Sequence, residues 1–270
     1  MRTYYKTFSV LIYLAGILNL SSAHSNTIEI KYRIQWGEVY IGDASAKFEV
    51  STDSYKLYGL AKSSSGVRLL YRYSGSVNAG GRLIGGVFTP DFLRISGTRN
   101  DKQQSAETLW SVTNSAPITF LNPKLNLEKV YPISQNTLKN TFDPISGIMN
   151  SLKTIKLNDR CSGTYRIFDG RRRSDITLHD LGKEELVADR NWSFGGPVWV
   201  CGVTANPLGG HKRRSPSEEE KIKEKNPYRV RAYVGNISPN LIGPVKLVIE
   251  SFFGNIIARL DIKSLNLPEQ

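Results

Sequence analysis

From Thr27 onward the chain keeps a period of two, and that rhythm limits what it can fold into. In Thr27–Trp36, Ile28, Ile30, Tyr32 and Ile34 fall on one face, and Glu29, Lys31, Arg33 and Gln35 on the other. Successive strand side chains point to opposite faces, so the pattern predicts a half-buried strand. The reading continues through Val39–Val50, Tyr55–Ala61, Val67–Val77, Leu83–Thr89, Phe92–Arg99 and Ser105–Val112, with Ser-, Gly- and Asn-rich turns between them. Gly42, inside the second of these, marks a bulge or a close backbone approach. Strands at this spacing predict an antiparallel meander.

One segment breaks the rhythm. Asp143 is a good N-cap, Pro144 suits the first helical position, and Ile145, Ile148, Met149 and Leu152 recur at helical spacing. A helix over 144–153 amid strands either covers an open sheet or gates a pocket. The stretch 116–138 has no period and reads as a long connection. Strands resume at 163–168, 171–179, 183–188 and 197–204, and the chain closes with 228–234, 245–252 and 256–262. Between them lies a charged insertion, 209–226. Its basic Lys212-Arg213-Arg214 precedes the acidic Glu218-Glu219-Glu220, and Ser215–Glu218 forms a capping box. Mutual neutralisation and solvation explain that charge better than a partner site does. The expectation is an all-β protein: one antiparallel domain over 24–270, a strongly curved sheet or open β-barrel with one short amphipathic helix.

The first residues define a compartment. Arg2 and Lys6 precede a nearly uninterrupted apolar run, Phe8–Leu20, and Ser21-Ser22-Ala23 follows with small residues at a cleavage site. The run is short for a membrane span of roughly 20 residues, which favours a cleaved signal peptide over 1–23 against a retained anchor. Losing Arg2 and Lys6 lowers the formal charge from +12 to +10. A basic periplasmic protein meets anionic partners, namely lipid, lipopolysaccharide or glycan, and does not meet nucleic acid. The alternative is that the charge serves solubility alone.

In an oxidising compartment the two cysteines, Cys161 and Cys201, pair as a disulfide, or else stay as buried thiols. Closing so long a loop contributes about 4 kcal/mol in the chain-entropy view. The only histidines, His24, His179 and His211, lie at no ligand spacing from a cysteine, so no metal or cofactor is expected. The sequence carries no nucleophile elbow, zinc-protease helix or phosphate loop. Carboxylates such as Asp43, Asp169 and Asp175 cannot be paired from sequence, and the reading is of a protein that is not an enzyme.

The polar candidates sit in FDGRRR, 168–173. Asp169-Gly170 between two alternating runs predicts a tight two-residue hairpin turn. Strand alternation from Arg171 then puts Arg171 and Arg173 on one face, and Arg172 on the apolar face with Ile176 and Leu178. Arg172 is expected partly buried, either capping the hairpin through Asp169 or pointing at a ligand's anionic group.

The alternating N-terminus with Gly42, DPISGIM at 143–149, Cys161 followed by FDGRRR, the second cysteine and the final strands together resemble the proteobacterial exported family known as domain of unknown function 3108. The resemblance spans nearly all of 24–270. It implies an antiparallel β protein of the cell envelope, an incomplete barrel similar in outline to periplasmic lipoprotein carriers. The insertion at 209–226 departs from the short link of that pattern. On this basis the inner side chains surround a ligand cavity for an envelope amphiphile or anionic polymer, or fill a solid core that docks an envelope complex.

Export is directly testable. Mass spectrometry of the periplasmic protein is expected to place the mature N-terminus at or near His24, and full-length chain in washed membranes would refute it.

Overall fold

The computed structural model describes residues 26–68, 71–111, 115–213, 228–239, 241–251 and 254–267. The expected signal peptide and the acidic half of the insertion, with its capping box, lie outside these residues. Within them the chain forms thirteen strands: β1 (Asn26–Trp36), β2 (Val39–Val50), β3 (Ser54–Ser63), β4 (Tyr73–Ile84), β5 (Val87–Arg99), β6 (Lys102–Leu109), β7 (Ile118–Asn122), β8 (Thr164–Phe168), β9 (Arg173–Leu186), β10 (Gly196–Gly209), β11 (Val230–Ser238), β12 (Leu241–Ser251) and β13 (Gly254–Leu260). Two helices, α1 (Gln135–Leu138) and α2 (Pro144–Asn158), fall between β7 and β8. All strand pairs are antiparallel, in one sheet ordered β7-β6-β5-β4-β3-β2-β1-β13-β12-β11-β10-β9-β8. The first strand pairs with the last, Tyr32 opposite Leu260, and so welds two meanders into one sheet.

Several expected boundaries shift, for local reasons. Leu83–Thr89 is not a strand but the hairpin joining β4 to β5, where Gly85 and Gly86 both take positive φ. Val67–Val77 shortens at its start: β4 begins only at Tyr73, and the Ser64 N–H is anchored on the Ile41 carbonyl. The 183–188 strand is the end of β9, which runs through Gly182 without interruption. The connection over 116–138 holds β7 and α1, and its residues 129–131 pair with 211–213. The helix begins where capping rules place it and runs past 153 to Asn158, because Ile155 extends the apolar stripe into the core. Asp159, at a left-handed φ of 56°, ends it.

The helix reveals the sheet's curvature. Fifteen residues make a rod of about 22 Å, yet α2 packs on β5, β8 and β12. Strands β5 and β8 stand ten intervals apart in the sheet order, about 48 Å if it were flat. The sheet therefore curls around α2, which lies on its concave side. Leu152 and Ile155 pack with Cys161, Cys201, Val234 and Ile242, while Met149 reaches Phe48, Tyr55 and Phe88 from the other half of the sheet. The Cys161–Cys201 disulfide joins the end of α2 to β10 within this core. On β10 and β11, Val200 and Tyr233 belong to a separate cluster from their neighbours Cys201 and Val234, so this half is packed on both faces.

Asp143 fixes the other end of α2. Its Oδ1 accepts from the Ile145 N–H at 2.7 Å, and its Oδ2 accepts from the Ser146 hydroxyl. The Tyr55 hydroxyl, from β3, shares a hydrogen bond with Ser146 and lies 3.5 Å from Asp143 Oδ2. All three residues are buried. Burial pushes the Asp143 carboxyl above the usual aspartate range, against the pull of its hydrogen bonds, and burial followed by the charge on Asp143 pushes the Tyr55 phenol up.

A carboxyl whose folded pKa exceeds its unfolded value holds its proton more tightly when folded. Its contribution to stability is full below about pH 4 and falls as the pH rises through the raised value. Asp143→Asn keeps an oxygen on the helix amides and removes that titration. Thermal melts of both proteins are expected to show the difference in Tm moving in the variant's favour between pH 4 and pH 7. A difference constant with pH would refute this account of the cap.

Candidate functional site

The concave face can be followed strand by strand, because register carries one face across the sheet. Ile28, Ile30, Tyr32 and Ile34 of β1 stand opposite Phe48, Ala46, Ala44 and Gly42 of β2. Phe48 packs under α2, which marks this as the inner face. The face continues through Leu57 and Ala61, then Ala79, Val77 and Gly75, then Leu93, Ile95 and Gly97. In the other direction it passes through Ala258 and Ile256 to Leu247 and Ile249.

The two ends of this face differ. At the end covered by α2, Phe48, Tyr55, Phe88, Leu93, Val234 and Ile242 are buried. Away from α2, the inner-face side chains Ile34, Val77, Ile95, Leu247, Ile249 and Ile256 remain partly open. Apolar side chains in a filled core lose nearly all their exposure. Those residues instead form a partly open apolar strip, or trough, on the concave face toward the end carrying the β1–β2, β3–β4, β5–β6 and β12–β13 connections. Small residues widen it: Ala44, Ala61, Gly75 and Gly97 follow one another across β2 to β5. The ring of Tyr73 lies against Gly75 and Gly97, where added Cβ atoms would meet it at 2.5 and 3.7 Å. An aromatic floor thus replaces the missing side chains.

FDGRRR closes the seam between the sheet's two edges. Its turn is not the expected two-residue hairpin. Phe168 pairs with Arg173, leaving the four residues Asp169, Gly170, Arg171 and Arg172 in the loop. Asp169 Oδ1 accepts from the backbone N–H groups of Arg171 and Arg172 at 2.8 and 2.6 Å. That capping lengthens the turn, and strand alternation starts at Arg173 rather than Arg171. The expected facing of the three arginines is therefore corrected. The Arg172 side chain is 61% exposed and lies 4.0 Å from Asp169, whereas Arg173 is 1% exposed. The Arg173 guanidinium pairs with Asp175 at 2.7 Å and donates through Nε to the Thr137 carbonyl at 2.8 Å.

Arg171 does the closing. Its Nη2 donates to the carbonyls of Ser105, Asn122 and Pro123, at 2.8, 3.1 and 3.2 Å, on the β6–β7 edge. Desolvation lowers its pKa from the usual arginine value. Gly170 lies against Ala106, Thr108 and Thr119 of the same edge, with a Cβ position 2.7 Å from the Thr108 hydroxyl, so the tip of the hairpin overlaps β6–β7. Beside it, Phe142 pairs in parallel with β8, accepting from Phe168 and donating to Arg166. The strand ladder stays open, and the gap is closed by one guanidinium and one short bridge.

The remaining chemistry-bearing groups are dispersed. Asp43 pairs with Lys31 at 3.7 Å, His179 hydrogen-bonds Thr204, and His211 hydrogen-bonds Ser174. Asp180, beside the end of α2, accepts from the Cys161 N–H. Among the described residues no group of three or more His, Cys, Asp or Glu is placed to hold a metal. Two clusters escaped the sequence reading. One is the Tyr55–Ser146–Asp143 trio. The other fastens 189–193 to the outer face: Asp189 pairs with Arg259, and Asp261 pairs with Arg33, whose guanidinium stacks on Trp192 at 4.5 Å. Only the capping role of Asp143 left a local signal.

A single antiparallel sheet rolled on a helix, open at one end and clasped along its seam, defines a β-barrel-like protein with an incomplete barrel. The profile of a family described as "Protein of unknown function (DUF3108)" matches residues 31–261, and the chain belongs to that family. No curated protein matches. Among solved structures it is similar to a β-barrel-like protein of domain of unknown function DUF1849 from Brucella abortus. The TM-score is 0.50 at 9% identity, over 91% of this chain and 98% of that one. At that identity the likeness speaks for the fold alone.

The three arginines are expected to rank by burial. Urea melts should show Arg172→Ala within about 0.5 kcal/mol of wild type. Arg171→Ala should lose about 1–3 kcal/mol with its carbonyl contacts, and Arg173→Met more, because it strands Asp175. A loss at Arg172 equal to that at Arg173 would overturn the register.

Proposed function

We propose that this is a non-enzymatic periplasmic binding protein whose open trough takes the apolar chain of an anionic envelope amphiphile. The observation that carries the reading is the contrast along one inner face: dry beneath α2, partly open and apolar beyond it. Burying an acyl chain there would remove about 0.8 kcal/mol per methylene from water. Small curved barrels with apolar interiors serve as containers for single ligands of this kind. The groups beside α2 that could do chemistry, Asp143 and Asp180, are occupied by backbone N–H groups, which supports binding rather than catalysis. The excess of Lys and Arg over Asp and Glu favours an anionic headgroup over a cationic one.

Protein purified without detergent is expected to release an amphiphile on denaturing mass spectrometry, and added long-chain fatty acid should raise its Tm. Leu247→Asn places an amide on the trough wall away from α2. It should weaken binding of a fluorescent C16 fatty acid about tenfold, with the melting temperature of the empty protein nearly unchanged. Absence of a co-purifying amphiphile together with no thermal shift would end the reading and leave a filled-core interaction protein in its place.

A further inference from the structure

The trough's open end carries a rim whose composition is its own. Trp36, Val39 and Tyr40 project from the β1–β2 turn and Tyr71 from the β3–β4 loop, each between 40 and 60% exposed. These elements are knit together. Ser64 donates through its N–H to the Ile41 carbonyl and through its hydroxyl to the Tyr40 carbonyl. Arg72 and Asn100 exchange hydrogen bonds between the β3–β4 loop and the β5–β6 turn, and Gly37 donates to the carbonyl of Asn255 at the start of β13. The rim is thus one continuous lip.

Its charge is unbalanced. Arg68, Arg72, Arg99 and Lys102 are exposed on it, against the carboxylates of Glu38 and Asp101. Glu38 is already paired with Arg190, and Asp101 with Arg72. The Arg99 guanidinium lies over the Tyr71 ring at 5.4 Å, which places a cation and an amphipathic ring side by side. Trp and Tyr settle at the headgroup level of bilayers, where an apolar body and a polar tip are both satisfied. Basic groups beside them are drawn to anionic lipid within a Debye length of the surface.

We propose that this lip docks on the surface of an anionic phospholipid bilayer, with the mouth of the trough facing the lipid. The inference extends the proposed function, which requires a route for an amphiphile between bilayer and trough, but it stands on the lip and not on what the trough holds. Co-sedimentation with vesicles tests it, using phosphatidylglycerol and phosphatidylcholine in a 1:3 ratio against pure phosphatidylcholine. The mature chain should bind the mixed vesicles at least fivefold more tightly, and 0.5 M salt should remove most of the difference. Trp36→Ser with Tyr40→Ser should weaken binding to mixed vesicles at least fivefold, at unchanged Tm and unchanged affinity for fluorescent C16 fatty acid. Arg172→Ala, an exposed cation off the lip, should leave vesicle binding intact. Equal binding to both vesicle types, no binding, or loss from Arg172→Ala equal to that from the lip variant would each overturn the proposal. Vesicle binding that persists where fatty acid fails to bind would leave the lip standing and the trough reading refuted.

Discussion

The interaction on which this structure depends is the grip of one sheet on one helix. A thirteen-stranded antiparallel ladder has no intrinsic reason to stop curling at a given radius, since twist alone coils it gradually. Here α2 sets the radius. Its N-terminus is held to β3 through Asp143, Ser146 and Tyr55, and its C-terminus to β10 through the Cys161–Cys201 bridge. Side chains between these points bind strands from both halves of the sheet to the same 15-residue rod. Loss of either anchorage would leave two meanders connected mainly by the β1–β13 ladder. The buried carboxylate at one end is costly, and the amides and hydroxyl around it offset that cost.

The seam is the second consequence. A sheet wrapped on a helix still has two edges, and free edges invite association. The chain covers the β6–β7 edge with the tip of the β8–β9 hairpin, through Arg171. Arginine suits that task because one planar fork reaches several carbonyls while its charge needs no counter-ion in direct contact. Arg173 next to it answers a different need, since it is itself buried and pairs with the partly exposed Asp175. Three consecutive arginines thus have three environments, and they would be indistinguishable by composition.

What the sequence revealed follows from this division. Period-two alternation, turn residues and the Asp-Pro cap are local, so most strands, the start of the helix and the inner face of β1 could be read directly, whereas the β4–β5 hairpin and β7 could not. The hairpin went wrong at one local point. A two-residue turn at Asp169-Gly170 gives the Asp169 side chain no capping role, whereas it caps two backbone N–H groups and lengthens the loop by two residues. Arg172 therefore lies in the loop, outside the strand's alternation, and stays exposed, while Arg173 opens the strand and is buried. The Tyr55–Asp143 and Arg33–Asp261 contacts span 88 and 228 positions, and no window of sequence contains both partners. The trough was legible as an apolar face. That α2 covers only one end of it was not, because the placement of the helix rests on those distant contacts.

That partial coverage joins the fold to the proposed role. A longer plug, or larger residues in place of Ala44 and Ala61, would fill more of the sheet and gain stability from apolar burial. The chain forgoes that gain toward the lip while tying the α2 end down with a disulfide and a buried cap. Stability concentrated at one end allows the other to remain partly open without unfolding, since local opening depends on local contacts rather than on the total. A filled core would need no such division. The asymmetry is the physical argument for a container: α2 supplies the closed end, the clasp holds the wall together, and the lip of Trp36, Tyr40 and Tyr71 surrounds the only end of the inner face that α2 leaves uncovered among the described residues.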